Sequence, residues 1–112
     1  MGAVAGSPRS GGYASAKAGI RFVARYAAGE SARAGLGIRF LTLLPGLTPT
    51  GIGAVGVAAY AAQQGVDPET FVAGMAPVLT PEQVAKSLVD LIGEPDGAGE
   101  YELTGTGPRA IG

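Results

Sequence analysis

From Gly11 to Ala34 the chain is rich in alanine, with Ile20, Phe22, Val23, Tyr26 and Ala27 apolar and Arg21, Arg25, Glu30 and Arg33 charged. This spacing predicts one long helix. Gly35 and Gly37 supply the stop signal. The run "IRFLTLLPG", residues 38–46, is then almost continuously apolar and closes on Pro-Gly. Such a run suits a central parallel strand buried on both faces.

The following "LTPTGIGAVG" consists of turn formers, and "VAAYAAQQG" predicts a short helix ending at Gly65. Asp67, Pro68 and Glu69 give a helix start, with a capping carboxylate and proline in the first turn, opening a short helix through Gly74. Thr80-Pro81-Glu82-Gln83 is stronger: Thr80 can cap, Pro81 fits the first helical position, and Gln83 can complete a capping box. Val84, Leu88, Leu91 and Ile92 then fall on one face, while Glu82, Lys86 and Asp90 line another, so an amphipathic helix is expected over residues 81–93. After the turn "GEPDGAG", "EYELTG" reads as a final strand.

Helix, strand, short helices, helix, strand is half of an α/β layered fold. Two strands do not make a stable parallel sheet by themselves, so either a segment upstream or a partner is expected to complete it.

A chain of 112 residues makes one small domain, and 46% hydrophobic against 15% charged residues argues for a compact fold over disorder. The 20 glycines follow no collagen-like period and read as turn and close-packing positions. Without cysteine or histidine there is no disulfide framework and none of the common zinc sites, so metal catalysis is not expected. A net charge of −1 with no basic cluster argues against a nucleic-acid partner. No apolar run approaches the roughly 20 residues that span a bilayer, and the N-terminus has no signal-peptide pattern. The expectation is a cytoplasmic protein with no membrane association.

The chemistry concentrates in "SGGYASAKAG", residues 10–19. Tyr13 and Lys17 lie four residues apart at a helix start, on one face with Cβ atoms about 5–6 Å apart. An ammonium so placed favours the phenolate form, and the phenol can then exchange a proton with an alcohol or carbonyl near neutral pH. Small neighbours leave the ring accessible.

In this context the chain resembles the short-chain dehydrogenase/reductase family. "GGYASAKAG" is similar to the family's Tyr-x-x-x-Lys helix, and "GLGIRFLTLLPG" to the strand that follows it with its terminal Pro-Gly. In "PGLTPT", Thr50 takes the family's threonine position, and "TPEQVAKSLVDLIG" and "GEYELTGTG" resemble the last helix and strand. The resemblance implies the C-terminal part of a Rossmann-type doubly wound parallel sheet, residues 1–112 forming a single partial domain with a substrate lid over about 47–80. It implies NAD or NADP as cofactor and hydride transfer between nicotinamide and an alcohol or carbonyl substrate. Tyr13 would be the catalytic acid/base; Lys17 would favour its phenolate and hydrogen-bond the nicotinamide ribose. Pro45, Gly46, Leu47 and Thr48 would face the nicotinamide, with Thr50 near the carboxamide or pyrophosphate. The first helix would pack against a neighbouring subunit, giving a homo-oligomer.

There are departures. The position of the family's catalytic serine falls at Met1 or before it, and Ser7 and Ser10 have the wrong spacing. The glycine-rich phosphate turn and the residue that selects NAD or NADP are absent. "GIGAVG", residues 51–56, matches G-x-G-x-x-G literally but follows "LTPT" and leads to a proline-bearing helix start, so a flexible lid hinge is expected there instead. Arg21, Arg25 and Arg33 read as a solvated or interface face, and Tyr26 and Tyr60 as packing aromatics. Two alternatives stay open: a truncated, non-catalytic chain acting as an oligomerisation or interaction module, and a nucleotide binder built on "GIGAVG".

Overall fold

A computed structural model describes residues 11–49 and 52–111. Helix α1 spans Gly11–Ala34. Its end is closed by Gly35 at φ 66°, which lets the Leu36 N–H return to the Ser31 carbonyl at 3.0 Å. Strand β1, Thr42–Pro45, follows. Helices α2, Ile52–Gln64, and α3, Pro68–Ala73, make a hairpin in which Tyr60 stacks on Phe71 with ring centroids 6.1 Å apart. Helix α4, Pro81–Ile92, leads to strands β2, Glu100–Thr104, and β3, Gly107–Ala110.

The local signals act as their chemistry requires. The Asp67 carboxylate accepts from the Thr70 N–H at 2.7 Å, and this bond holds the Asp67 carboxyl below its ordinary range. Thr80 and Gln83 form the reciprocal capping box, with bonds of 3.2 and 3.1 Å.

The sheet runs in the order β1-β2-β3. β1 and β2 are parallel, with Thr42 beside Glu100 and Pro45 beside Leu103, while β3 is antiparallel to β2, with Arg109 opposite Glu102. The protein is therefore mixed α/β, and the expectation of an all-parallel sheet is corrected at this edge. The cause is the tight reversal at Gly105-Thr106, which leaves room only for a hairpin. A side chain at Gly105 would collide with the Pro77 carbonyl, and Gly107 sits at φ 113°.

A second correction concerns residues 52–56, expected as turn and hinge. They form the first turns of α2. Gly53 lies so close to the Thr48 carbonyl that an added Cβ would stand 1.5 Å from its oxygen. Glycine here allows the helix to start against the chain that feeds it, and Val57 and Ala61 then bury its inner face.

Alternation along β2 gives the sheet two different faces. Glu100 and Glu102 share one side, and Tyr101 and Leu103 the other. Helix α1 covers the first, through Arg21 and Arg25. Helix α4 lies on the second. Arg39 Nη2 bonds the Leu91 carbonyl at 3.2 Å, and both that guanidinium and the Tyr101 hydroxyl crowd the same Gly97 Cα. At its other end α4 is tied by Gln83 Nε2 to the Gly105 carbonyl at 3.2 Å. Among the described residues, Leu44, Val57, Ala61, Leu79, Leu91, Tyr101 and Leu103 are the buried apolar ones. Of the apolar positions expected on one face of α4, Val84 and Leu91 turn inward, whereas Leu88 and Ile92 remain exposed, because Gln83 sits on the inner side to reach β2's end.

Candidate active site

Tyr13 and Lys17 are adjacent on the first turns of α1, with the Lys17 ammonium over the phenol ring, 5.5 Å from its centroid. This is the cation–π geometry that one helical turn permits. The Tyr13 side chain is well exposed, at 62%. Among the described residues, nothing lies within 4 Å of a Cβ added at Gly11 or Gly12. Among the described residues, no carboxylate pairs with Lys17 and no hydrogen bond occupies the Tyr13 hydroxyl. Both groups are available to an incoming molecule.

The remaining expected site residues lie on the segment leaving β1. The Gly46 N–H donates to the Leu103 carbonyl at 2.8 Å, which extends the parallel pairing past Pro45 and holds the turn at the carboxyl end of the strands. Leu47 packs beneath Gly56 of α2, and Thr48 presents its carbonyl to Gly53. Thr50, Met1, Ser7 and Ser10 lie outside the described residues.

Two anchors fix how α1 runs along β1. Near the helix end, Ser31 Oγ donates to the Ile38 carbonyl at 3.1 Å and accepts from the Ile38 N–H at 3.0 Å. Further back, Arg21 and Arg25 grip Glu100, which lies beside Thr42. The helix therefore runs antiparallel to β1. From Arg21 back to Tyr13 it rises about 12 Å; from Thr42 on to Pro45 the strand advances about 10 Å. Tyr13, Lys17 and the Pro45-Gly46 turn thus belong to the same end of the sheet, the end where the parallel strands terminate. No hydrogen bond joins the two groups among the described residues.

The arginines correct an expectation. Of the three expected on a solvated or interface face, Arg21 and Arg25 instead reach Glu100 within the chain. Arg21 spans both oxygens of Glu100, and Arg25 Nη2 adds a third bond to Oε2 at 2.6 Å. Glu100 is only 4% exposed, and the hydrogen bond from Arg21, helped by that from Arg25, holds its carboxyl below the usual carboxylate range despite burial. Arg21 is pushed further up by the same bond. Arg33 pairs locally with Glu30. Sequence reasoning missed Glu100 because its partners lie far along the chain. The signal was a carboxylate at the start of a strand and two arginines one helical turn apart.

Tyr60 packs as expected, against Phe71, while Tyr26 is exposed beside Phe22. The G-x-G-x-x-G match loses its phosphate-cradling geometry: the close approach at Gly53 is already taken by the Thr48 carbonyl. Among the described residues no cluster of acidic side chains could hold a metal, and no helix is long and apolar enough to cross a membrane. No family model, curated protein or solved structure matches the chain.

Proposed function

We propose that the chain is the carboxyl-terminal portion of an NAD(P)-dependent oxidoreductase of short-chain dehydrogenase/reductase type, with a Rossmann-type sheet continuing beyond β1. The observation that carries this reading is the exposed Tyr13–Lys17 pair at the end of the sheet where the parallel strands terminate. In open α/β sheets, ligands bind at that end.

The residues fit one part of the cofactor. Lys17, free of carboxylate partners among the described residues, can donate to ribose hydroxyls, and the Pro45-Gly46 turn with Leu47 and Thr48 offers backbone to a flat ring. When bound, nicotinamide supplies the hydride acceptor or donor. Tyr13 gives or takes the proton on the alcohol or carbonyl oxygen. The pyrophosphate end has no counterpart among the described residues.

The test is titration of the chain with NADH and NADPH, followed by nicotinamide fluorescence, which the absence of tryptophan leaves unobstructed. Saturable enhancement that is lost in Lys17→Ala is expected. Absence of enhancement, or enhancement unchanged by that substitution, overturns the assignment of Lys17 and with it the reading of the site.

The exposed Ile20, Phe22, Val23 and Tyr26 on α1 favour a second reading, as an association module. A chain that stays monomeric by light scattering at all concentrations removes it.

A further inference from the structure

We infer that Glu100 is a positioning residue: it clamps α1 to the sheet through Arg21 and Arg25, and thereby sets where Tyr13 and Lys17 stand relative to the Pro45-Gly46 turn. The link to Tyr13 and Lys17 rests on the reading of the site above; the clamp itself does not.

Helix α1 buries little apolar surface. Its large apolar side chains, Tyr13, Ile20, Phe22, Val23 and Tyr26, are all exposed. Its buried residue is Ser31, and between Ser31 and Arg21 the surface turned to the sheet consists of Ala24 and Ala28, which border a small cavity of about 110 Å³ with Phe40, Thr42 and Gly99. Small side chains facing a cavity bury little apolar area, so dispersion and the hydrophobic effect hold this helix weakly. What remains is polar: the Ser31 clasp at one end, and the Arg21–Glu100–Arg25 cluster near the middle.

The cluster is built to fix register. Arg21 engages both carboxylate oxygens, a fork-on-fork contact that sets distance and angle together, and Arg25, one turn on, prevents rotation about it. Glu100 is the first residue of β2, paired with Thr42 at the first residue of β1, and its own carbonyl accepts from the Ile111 N–H at 3.0 Å. The carboxylate is thus mounted on the rigid centre of the sheet. The charged groups that face it are Arg21 and Arg25 from α1; Glu102 lies on the same side of β2 and is paired with Arg109 of β3. Two guanidiniums serve one buried carboxylate, so protonation of Glu100 would leave both without their anion and free the helix.

The folded carboxyl is held below its ordinary value, so the clamp is complete above the ordinary carboxylate range and is lost as pH falls through the depressed value.

The chain contains no cysteine, so spin labels can be placed at S15C on α1 and A85C on α4, both exposed positions, and their separation read by double electron–electron resonance. At neutral pH one narrow distance is expected. On acidification through the depressed value of the Glu100 carboxyl it gives way to a broad distribution while the far-UV signal of α4 persists. In E100Q the distribution is broad already at neutral pH and insensitive to acid. Should E100Q fail to fold, R25Q, which keeps the Arg21 fork, is expected to move the acid transition to higher pH. A narrow distance in E100Q, or no acid transition in the unsubstituted chain, or an unmoved transition in R25Q overturns the clamp. Lys17→Ala should leave the distances unchanged, so failure of NADH binding and failure of the clamp are separable.

Discussion

Helices α1 and α4 sit on opposite faces of one sheet and are held by opposite physics. Helix α4 is capped at its start by Thr80 and Gln83, buries Leu91, and is tied to the β2–β3 turn through Gln83 and the Gly105 carbonyl. Helix α1 turns its aromatic and aliphatic residues outward and holds the sheet through Arg21, Arg25 and Ser31. Apolar contact is non-directional, so it secures α4 without fixing it to a single angstrom; bidentate charge contact is directional, so it fixes α1 without contributing much cohesion. The side that carries the candidate chemistry is the precisely aimed and weakly glued one.

The strongest way to break this contrast is from the apolar side. Leu103 is the largest fully buried side chain, with 0% exposure. Leu103→Ala should lower stability by about 2–5 kcal/mol, a loss large enough to unfold much of so small a domain. Urea denaturation followed by circular dichroism measures it. A loss below about 1 kcal/mol would mean the α4 face is not the main source of cohesion.

Ser31 probes the other side at lower cost. Its hydroxyl both accepts from and donates to Ile38, tying the end of α1 to the segment entering β1. Ser31→Ala should cost about 1 kcal/mol, with the effect confined to α1. Hydrogen exchange reads the distinction: amides in the last turns of α1 should exchange faster while those of α4 do not change. Equal acceleration in both helices would show that they open as one unit and that the contrast is only geometric.

These differences explain what was legible in the sequence. The bounds of α1 and the caps of α3 and α4 follow from neighbours in the chain: an alanine-rich run ending at Gly35, Asp67 before Pro68, Thr80 before Pro81. The Tyr13–Lys17 pair was legible for the same reason, since one helical turn brings the two side chains together. What escaped depends on contacts between distant segments. Residues 52–56 read as turn because two of them are glycines, yet Gly53 is what lets α2 begin against the Thr48 carbonyl. Strand β3, "GPRA", has no strand-forming composition and is held by the reversal at Gly105-Thr106 and by the Arg109–Glu102 pair. Glu100 looked like an ordinary charge opening a strand; only the fold brings Arg21 and Arg25 to it.

The smallest expected effect sharpens the comparison most directly, because it asks whether charge pairs matter by number or by setting. Helix α4 has its own ion pair, Lys86 Nζ to Asp90 Oδ2 at 2.7 Å, one turn apart and exposed on both sides. The lysine precedes the acid, the weaker orientation along a helix. Both side chains must also give up rotamer freedom to meet in water. Lys86→Ala should therefore cost at most about 0.3–0.5 kcal/mol at low salt. At about 1 M salt, where the screening length falls to about 3 Å, the difference should vanish. The Glu100 cluster, with its carboxylate out of solvent, should keep its narrow spin-label distance under the same salt. If salt broadened that distance too, the two kinds of pair would be equivalent, and the directional hold on α1 would have to come from Ser31 alone.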